Sequence, residues 1–543
     1  INGAVDMSST LTVAGVLTGA SLDISGDIDV DGTTNLDAVD VDGAVNFAAD
    51  VTFADGADII TASAGDNNVR VGLTAGDSIA DGGNQNTLIG DRAGTAITTG
   101  DQNIAIGFEA LQTEDAGSRN TAVGSFSLQN LNVDGSTYNT ALGYYSGNAI
   151  TTGIQNVLIG GLTGDSLTVG SYNTALGTTA LGGDTQGSRS TAIGYSTLVN
   201  QNFTSATDAY NTAVGYEAGE SVTTGIYNTL IGGLAGDALT DADYNVAVGG
   251  DALSTDTLGS RSVAIGTSAL SAQNFTTATD AYNVAVGNSA GAAVTTGVQN
   301  TLIGGLAGDA LNTAQNNVAI GYQALTTDTK GDNSVAIGVL ALSAQNFTTS
   351  TNSYNVAVGR SAGQSVTTGT NNTLIGGLAG DALTDADNNT VVGRAALSAD
   401  TLGSRATAIG FQALAQQNFT TATDNYNTAV GFNAGVSVTT GIENVLIGGG
   451  AGDALTDADY NVAIGQAALG ADTLGSRSVA LGAYTLTAQN LTTATLTYNT
   501  AVGPFAGERV TTGVNNALFG GLAGDSLTDA DYNVAIGKGA LSS

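Results

Sequence analysis

The pentapeptide Asn283-Val284-Ala285-Val286-Gly287 returns with small changes from residue 68 to the end of the chain, and this recurrence leaves few folds open. Close variants stand at residues 427–431 (NTAVG), 372–376 (NTLIG) and 333–338 (NSVAIG). The closing glycines fall at positions 143, 160, 177, 194 and 215, giving steps of 17, 17, 17 and 21 residues, 72 in all. Gly215, Gly287, Gly359, Gly431 and Gly503 keep the 72-residue register begun at Gly143. A period this strict is the mark of a solenoid, in which a repeat unit buries its apolar face only by stacking on its neighbours.

Each coil can be numbered from its Asn as position 1, which makes the closing glycine position 5. Position 3 is usually Ala and otherwise mostly Leu, whereas position 4 is Val, Ile or Leu with Phe519 as an exception. Position 8 is small, as in Ala110, Ser127, Thr163, Ala252 and Ala506. Side chains alternate across a strand, so position 3 faces opposite to positions 2 and 4. Two arrangements satisfy that alternation. In one, small residues at 3 and 8 face each other across a narrow interior, Gly at 5 permits the bend, and Val, Ile and Leu point outwards. In the other, Val and Ile fill a wider monomeric β-helix and Ala lies outside; periodicity alone does not choose between them. Under the first, an outward apolar stripe over about 27 coils would far exceed the few hundred Å² that a monomer leaves uncovered, so partner chains must bury it. Residues at the axis of such an assembly would include Val214, Val248, Ile265, Val286, Ile303, Ile320, Ile337 and Val358.

Composition narrows the function. The 543 residues include 78 glycines, one proline, and no Cys, His or Trp, a mixture that favours short strands and turns over helix. The formal charge of -36 disfavours nucleic acid and anionic membrane surfaces as partners. No apolar run reaches 18 residues, so no membrane insertion is expected of this segment. Without His or Cys there is no ordinary triad or thiol nucleophile, and no GxxxxGK[ST] loop occurs, so we expect no enzyme and no cofactor.

Residues 1–67 read differently. Alternating apolar pairs such as Leu22/Ile24, Ile28/Val30 and Val45/Phe47, separated by Gly, Asp or Asn, describe very short strands too few for a self-sufficient coil stack. We expect a slender β shaft of several intertwined chains with a junction at its end, then the solenoid over 68–543. The chain starts at Ile1 and stops at Ser543, soon after Gly537, and reads as a segment of something longer.

The run Asn333-Ser334-Val335-Ala336-Ile337-Gly338 resembles, letter for letter, the NSVAIG signature in the head domain of trimeric autotransporter adhesins. The NTAVG and NVAVG repeats are also similar to β-roll modules of bacteriophage tail fibres. The resemblance covers about residues 68–543 and rests on its multiplicity. It implies an all-β, parallel β-solenoid: a left-handed β-roll of 17/17/17/21-residue coils, assembled as a homotrimeric fibre with apolar strand residues at the trimer axis. It further implies an extracellular structural role. The adhesin heads use shorter coils and are followed by a neck, a coiled-coil stalk and a membrane-anchoring barrel, none of which is recognisable here. The shaft-like beginning favours a virion appendage, a tail fibre serving as rigid spacer and in host attachment, over a cell-surface adhesin or extracellular filament. Expected partners are the chain itself and a host surface glycan or receptor.

Other patterns carry chemistry. The Asn at position 1 suggests a stacked amide ladder closing each turn. Asp241 and Asp243, with Asp457/Asp459 and Asp529/Asp531, have the D-x-D spacing that opens a calcium loop, but the later Gly and bidentate Glu are missing, so solvated turns are the expectation. Arg189, Arg261, Arg405 and Arg477 share one register and are expected to bridge to a turn aspartate or a neighbouring chain. Phe203, Phe275, Phe347 and Phe419 occupy one place in the long loops, either folded back onto the roll or presented to a sugar or receptor.

Overall fold

The computed structural model describes residues 64–542. The shaft expected over residues 1–67 falls, up to residue 63, outside the described residues. The described residues contain strands and turns and no helix. Short three-residue strands, from Val69–Val71 to Val534–Ile536, stack in parallel into one 27-stranded sheet. The fold is an all-β parallel β-solenoid. Successive strands pair without slippage: Thr229–Ile231 lies on Val246–Val248, which lies on Val263–Ile265, which lies on Val284–Val286. Like residues therefore stack on like, with Ala247 on Ala264 on Ala285.

The middle residue of each strand faces the interior. Ala247, Ala264 and Leu302 are wholly buried, whereas Ile265 and Ile303 are 38% and 37% exposed. The narrow interior is the one that forms, and Val and Ile lie outside it. Packing shows why small residues recur. Where position 3 is Leu, as at Leu230, position 9 is Gly236; where it is Ala247, position 9 is the buried Leu253. A Cβ on Gly236 would lie 2.7 Å from Leu230 Cδ2 and 2.8 Å from Leu239 Cδ1, so the space holds one bulky side chain of the two.

The glycine at position 5 answers a different need. Gly249 has φ +137°, and a Cβ there would sit 2.6 Å from the carbonyl carbon and oxygen of Gly266 in the next coil. Its constancy thus reflects the approach of one coil to the next as well as the bend. Three further corners take non-glycine residues in the left-handed region: Tyr244 (φ 58°) just before the Asn, Asp251 (φ 54°) at position 7 and Leu253 (φ 55°) at position 9. No Val or Ile among the described residues has positive φ. Branching at Cβ makes that conformation costly, so Val and Ile are kept out of these corners and unbranched residues predominate there.

Candidate functional site

The outward face of the sheet runs along all 27 strands of the solenoid. Parallel pairing lines up Val248, Ile265, Val286, Ile303, Ile320, Ile337 and Val358 as one unbroken column. All of these, and Val214, are half-buried or exposed. Position 2 adds a parallel column of Thr, Val and Ile on the same face. At about 4.8 Å per strand the strip runs about 125 Å, and a strip two side chains wide over that length is far larger than the apolar patches monomers display.

Two columns border this face. The residue before each Asn, called position 0, supplies Tyr210, Tyr227 and Tyr244, whose rings stack at 5.1 Å with planes 14° and 4° apart. The Arg261 guanidinium lies 4.8 Å from the centroid of the Tyr244 ring, and its Nε donates to Asp280 Oδ1 at 3.0 Å. Arg189 and Arg405 repeat the ion pair with Asp208 and Asp424, at 3.0 and 2.9 Å. Arg477 has Leu496 at the aspartate's place in the register and packs on Tyr460, 4.6 Å from its centroid. Arg189, Arg261 and Arg405 thus bridge to an aspartate within the chain. These pairs stand in solvent, where screening leaves ion pairing weak, so stacking on the tyrosines is the more durable part of the contact. On the other border, position 6 carries Tyr195 and Tyr216, stacked at 5.6 Å, and Phe411 and Phe432, stacked at 5.4 Å.

Behind the face runs a buried amide ladder. Asn245 donates its backbone N–H to Asn228 Oδ1 at 3.0 Å and its Nδ2 to Gly259 O at 2.9 Å, and its own Oδ1 accepts the N–H of Ser262 at 2.9 Å. The side chain therefore closes its own coil and ties it to the next, as the Asn228 side chain ties the preceding coil to this one. Ser262, with no amide to offer, ends the run. There the wholly buried Gln273 takes over: its Nε2 donates to Asp256 Oδ2 at 2.6 Å and to Ser262 Oγ at 3.0 Å, and its Oε1 accepts from Asn283 Nδ2 at 2.9 Å. Asp256, equally buried, also accepts the N–H groups of Gly259 and Phe275 at 3.1 and 3.0 Å.

The same pair recurs as Asp184/Gln201, Asp328/Gln345, Asp400/Gln417 and Asp472/Gln489. Burial pushes the Asp184 carboxyl above the usual range, against the opposing pull of the donors from Gln201, Gly187, Phe203 and Gln186. Sequence reasoning missed these interior carboxylates, because aspartate in an aspartate-rich chain reads as a turn. The signal was available in the register, since each stands 17 residues before a glutamine at the same position of the next coil.

Burial and hydrogen bonding place two further sets of candidate residues. Phe203, Phe275, Phe347 and Phe419 are only 5–6% exposed, so the idea that these rings are presented to a sugar or receptor is corrected. Each loop folds back instead. The Phe275 ring covers Gly259, where an added Cβ would lie 2.7 Å from Phe275 Cδ2, and exposed Thr276, Thr277 and Ala278 form the tip.

The paired aspartates accept hydrogen bonds from the chain, all but one of them from the preceding coil. Asp241 accepts from Thr224 Oγ1 at 2.6 Å and Asp243 from the Ile226 N–H at 2.8 Å. Asp457 accepts from Thr440 Oγ1 at 2.5 Å, Asp459 from the Ile442 N–H at 2.8 Å and Asp531 from the Val514 N–H at 2.7 Å, whereas Asp529 accepts from the adjacent Thr528 Oγ1 at 3.2 Å. Among the described residues no group of three or more acidic side chains is arranged to hold a metal ion, and no helix is long and apolar enough to cross a membrane. Comparison with protein-family models and with curated proteins returns no match.

Proposed function

We propose that the chain is a structural segment of an extracellular fibre in which three copies, each a left-handed β-roll of 17/17/17/21-residue coils, bury their outward sheet faces against one another. The observation that carries this reading is the uncovered, mostly β-branched strip along the 27-stranded sheet. Its role is that of a rigid spacer, with neither catalysis nor a cofactor, in an appendage that attaches to a host through a surface glycan or receptor. A bacteriophage tail fibre is the context we favour, on the shaft-like pattern of residues 1–67. A bacterial cell-surface trimeric adhesin is the second reading, favoured by the NSVAIG run at 333–338.

Solution mass tests the assembly. One chain is 53.3 kDa, and sedimentation equilibrium should return about three times that value for the folded protein. A value near a single chain would overturn the proposal.

A further inference from the structure

Charge is distributed unevenly around the coil. The chain holds 12 Lys and Arg against 48 Asp and Glu, yet eight of those cations stand in the two columns that border the apolar face. Five are the arginines of position 0, and three are Arg360, Arg394 and Lys538 at position 6. Among the described residues the four columns at positions 0, 2, 4 and 6 contain only two carboxylates, Glu443 and Asp91. A protein with net charge -36 repels its own copies, and these four columns add little to that repulsion.

In four layers one border carries a cation and the other an aromatic ring, Tyr532 with Lys538 being one of them. Arg189 and Tyr195 flank Thr191–Ile193, Tyr354 and Arg360 flank Val356–Val358, and Arg405 and Phe411 flank Thr407–Ile409. Tyr195 and Tyr354 are 51% and 55% exposed, and the Arg189 and Arg405 side chains 41% and 46%. Within one chain the two members of such a pair are separated by up to about 20 Å of strand and cannot meet. Three flat faces closed around an axis, however, bring the first border of each face against the second border of the next. A closed three-fold rotation adds no translation along the axis, so equal layers lie at equal height.

We propose, resting on the trimeric reading above, that the partner of these borders is a second copy of the same chain in the same register. Position 0 of one copy packs on position 6 of the next, so that in these layers a cation meets an aromatic ring along three intermolecular seams. The Tyr354 ring then meets Arg360 of the adjacent copy, the Arg189 guanidinium the adjacent Tyr195, and Arg405 the adjacent Phe411, each a cation over a ring face or edge. The seams fix register as well as closure, because a slip of one layer sets Tyr354 of one copy against a different residue of the next.

The chain contains no cysteine, so introduced thiols report without background. Tyr354→Cys and Arg360→Cys are combined in the full chain, treated with a short bis-maleimide and run under denaturing conditions. The expected result is a covalent three-chain band from the double variant and none from either single variant, with the uncross-linked double variant retaining threefold mass in solution. A second variant, Tyr354→Cys with Phe432→Cys, places the thiols four layers apart and should give at least tenfold less cross-linked product. Threefold mass with no covalent trimer from the 354/360 pair overturns the seam while leaving the trimer standing. Equal cross-linking of the offset pair overturns the common register. Single-chain mass overturns both the seam and the trimer on which it rests.

Discussion

Gln273 Nε2 donates to the carboxylate of Asp256 at 2.6 Å in the interior of the solenoid, where both residues are wholly buried. A carboxylate there would be strongly unfavourable if left alone, and it is held by three N–H donors: the Gln273 amide, the Gly259 backbone and the Phe275 backbone. Phe275 lies at the start of the long loop, so the network fastens that excursion to the coil it leaves. Replacing Asp256 by Ala removes one acceptor group and leaves three buried donors, each costing about 1–3 kcal/mol if unpaired. Because a solenoid distributes stability among nearest neighbours, the damage should stay local. Protease cleavage at residues 276–278 and hydrogen exchange of the neighbouring coils should rise severalfold in Asp256→Ala, with little change two super-repeats away. Wild-type protection in the loop would rule out the anchoring role.

The titration of the buried and half-buried carboxyls gives an unusual acid profile. Burial raises Glu114, Asp165, Asp184, Asp237, Asp381 and Asp453 above their ordinary values. For these groups the folded chain binds protons more tightly than the unfolded one between the ordinary carboxylate value, about 4, and the raised value. Their contribution is therefore fully present below that window and is lost as pH rises through it. Relief of self-repulsion on acidification acts in the same direction. Chemical denaturation at pH 5 should show a midpoint equal to or above that at pH 7; a marked fall at pH 5 would contradict the assignment.

Interior volume predicts a compensating pair. Gly236→Leu alone forces a side chain into space held by Leu230 and Leu239 and should destabilise its neighbourhood by about 1–3 kcal/mol. Adding Leu230→Ala, with Leu239 kept, reproduces the buried Ala122/Leu128/Leu131 arrangement of an earlier coil, where Leu already tolerates φ 48°. The double variant should recover most of the loss. Additive losses in a double-mutant cycle would show that the two positions do not share one space.

Metal removal should leave the protein unchanged. Each of the paired aspartates, Asp241/Asp243, Asp457/Asp459 and Asp529/Asp531, has a hydrogen-bond donor from the chain on one of its oxygens. Excess chelator should not move the melting temperature, and a fall reversed by calcium would refute the structural reading of these turns.

The sequence made the stacking period legible because Gly at position 5 cannot be replaced where one coil touches the next, as at Gly249 on Gly266. It also exposed the alternation of Ala247 and Val248, since burial on one face and not the other imposes a two-residue period. Which face was inside was not decidable from that period. It follows from the volume shared by positions 3 and 9, and the two lie six residues apart around a corner that no strand pattern describes. Phe275 was ambiguous for a related reason: its partner, Gly259, belongs to the preceding coil, and only the folded register brings ring and glycine together. Asp256 escaped because charge reads as exposure unless its donors are known in advance.

Val286 pairs with Ile265 on one side and Ile303 on the other within the outward column, which makes it a direct probe of what covers that face. In a three-chain assembly with this column at the axis, Val286→Asp places three carboxylates close together in an apolar seam. Burying unpaired charge there costs several kcal/mol, and like charges repel further. In an isolated chain the same position is half-buried against solvent, so the introduced carboxylate would be hydrated and the coil interior, filled by Ala285 and its stacked neighbours, would be untouched. The two cases separate cleanly by mass and by circular dichroism. For an assembly, Val286→Asp should lose threefold mass or aggregate through the exposed strip, while the conservative Val286→Ile keeps it. A Val286→Asp protein with unchanged mass, unchanged melting temperature and a strand signal equal to the wild type would place Val286 in water, and with it the whole outward face.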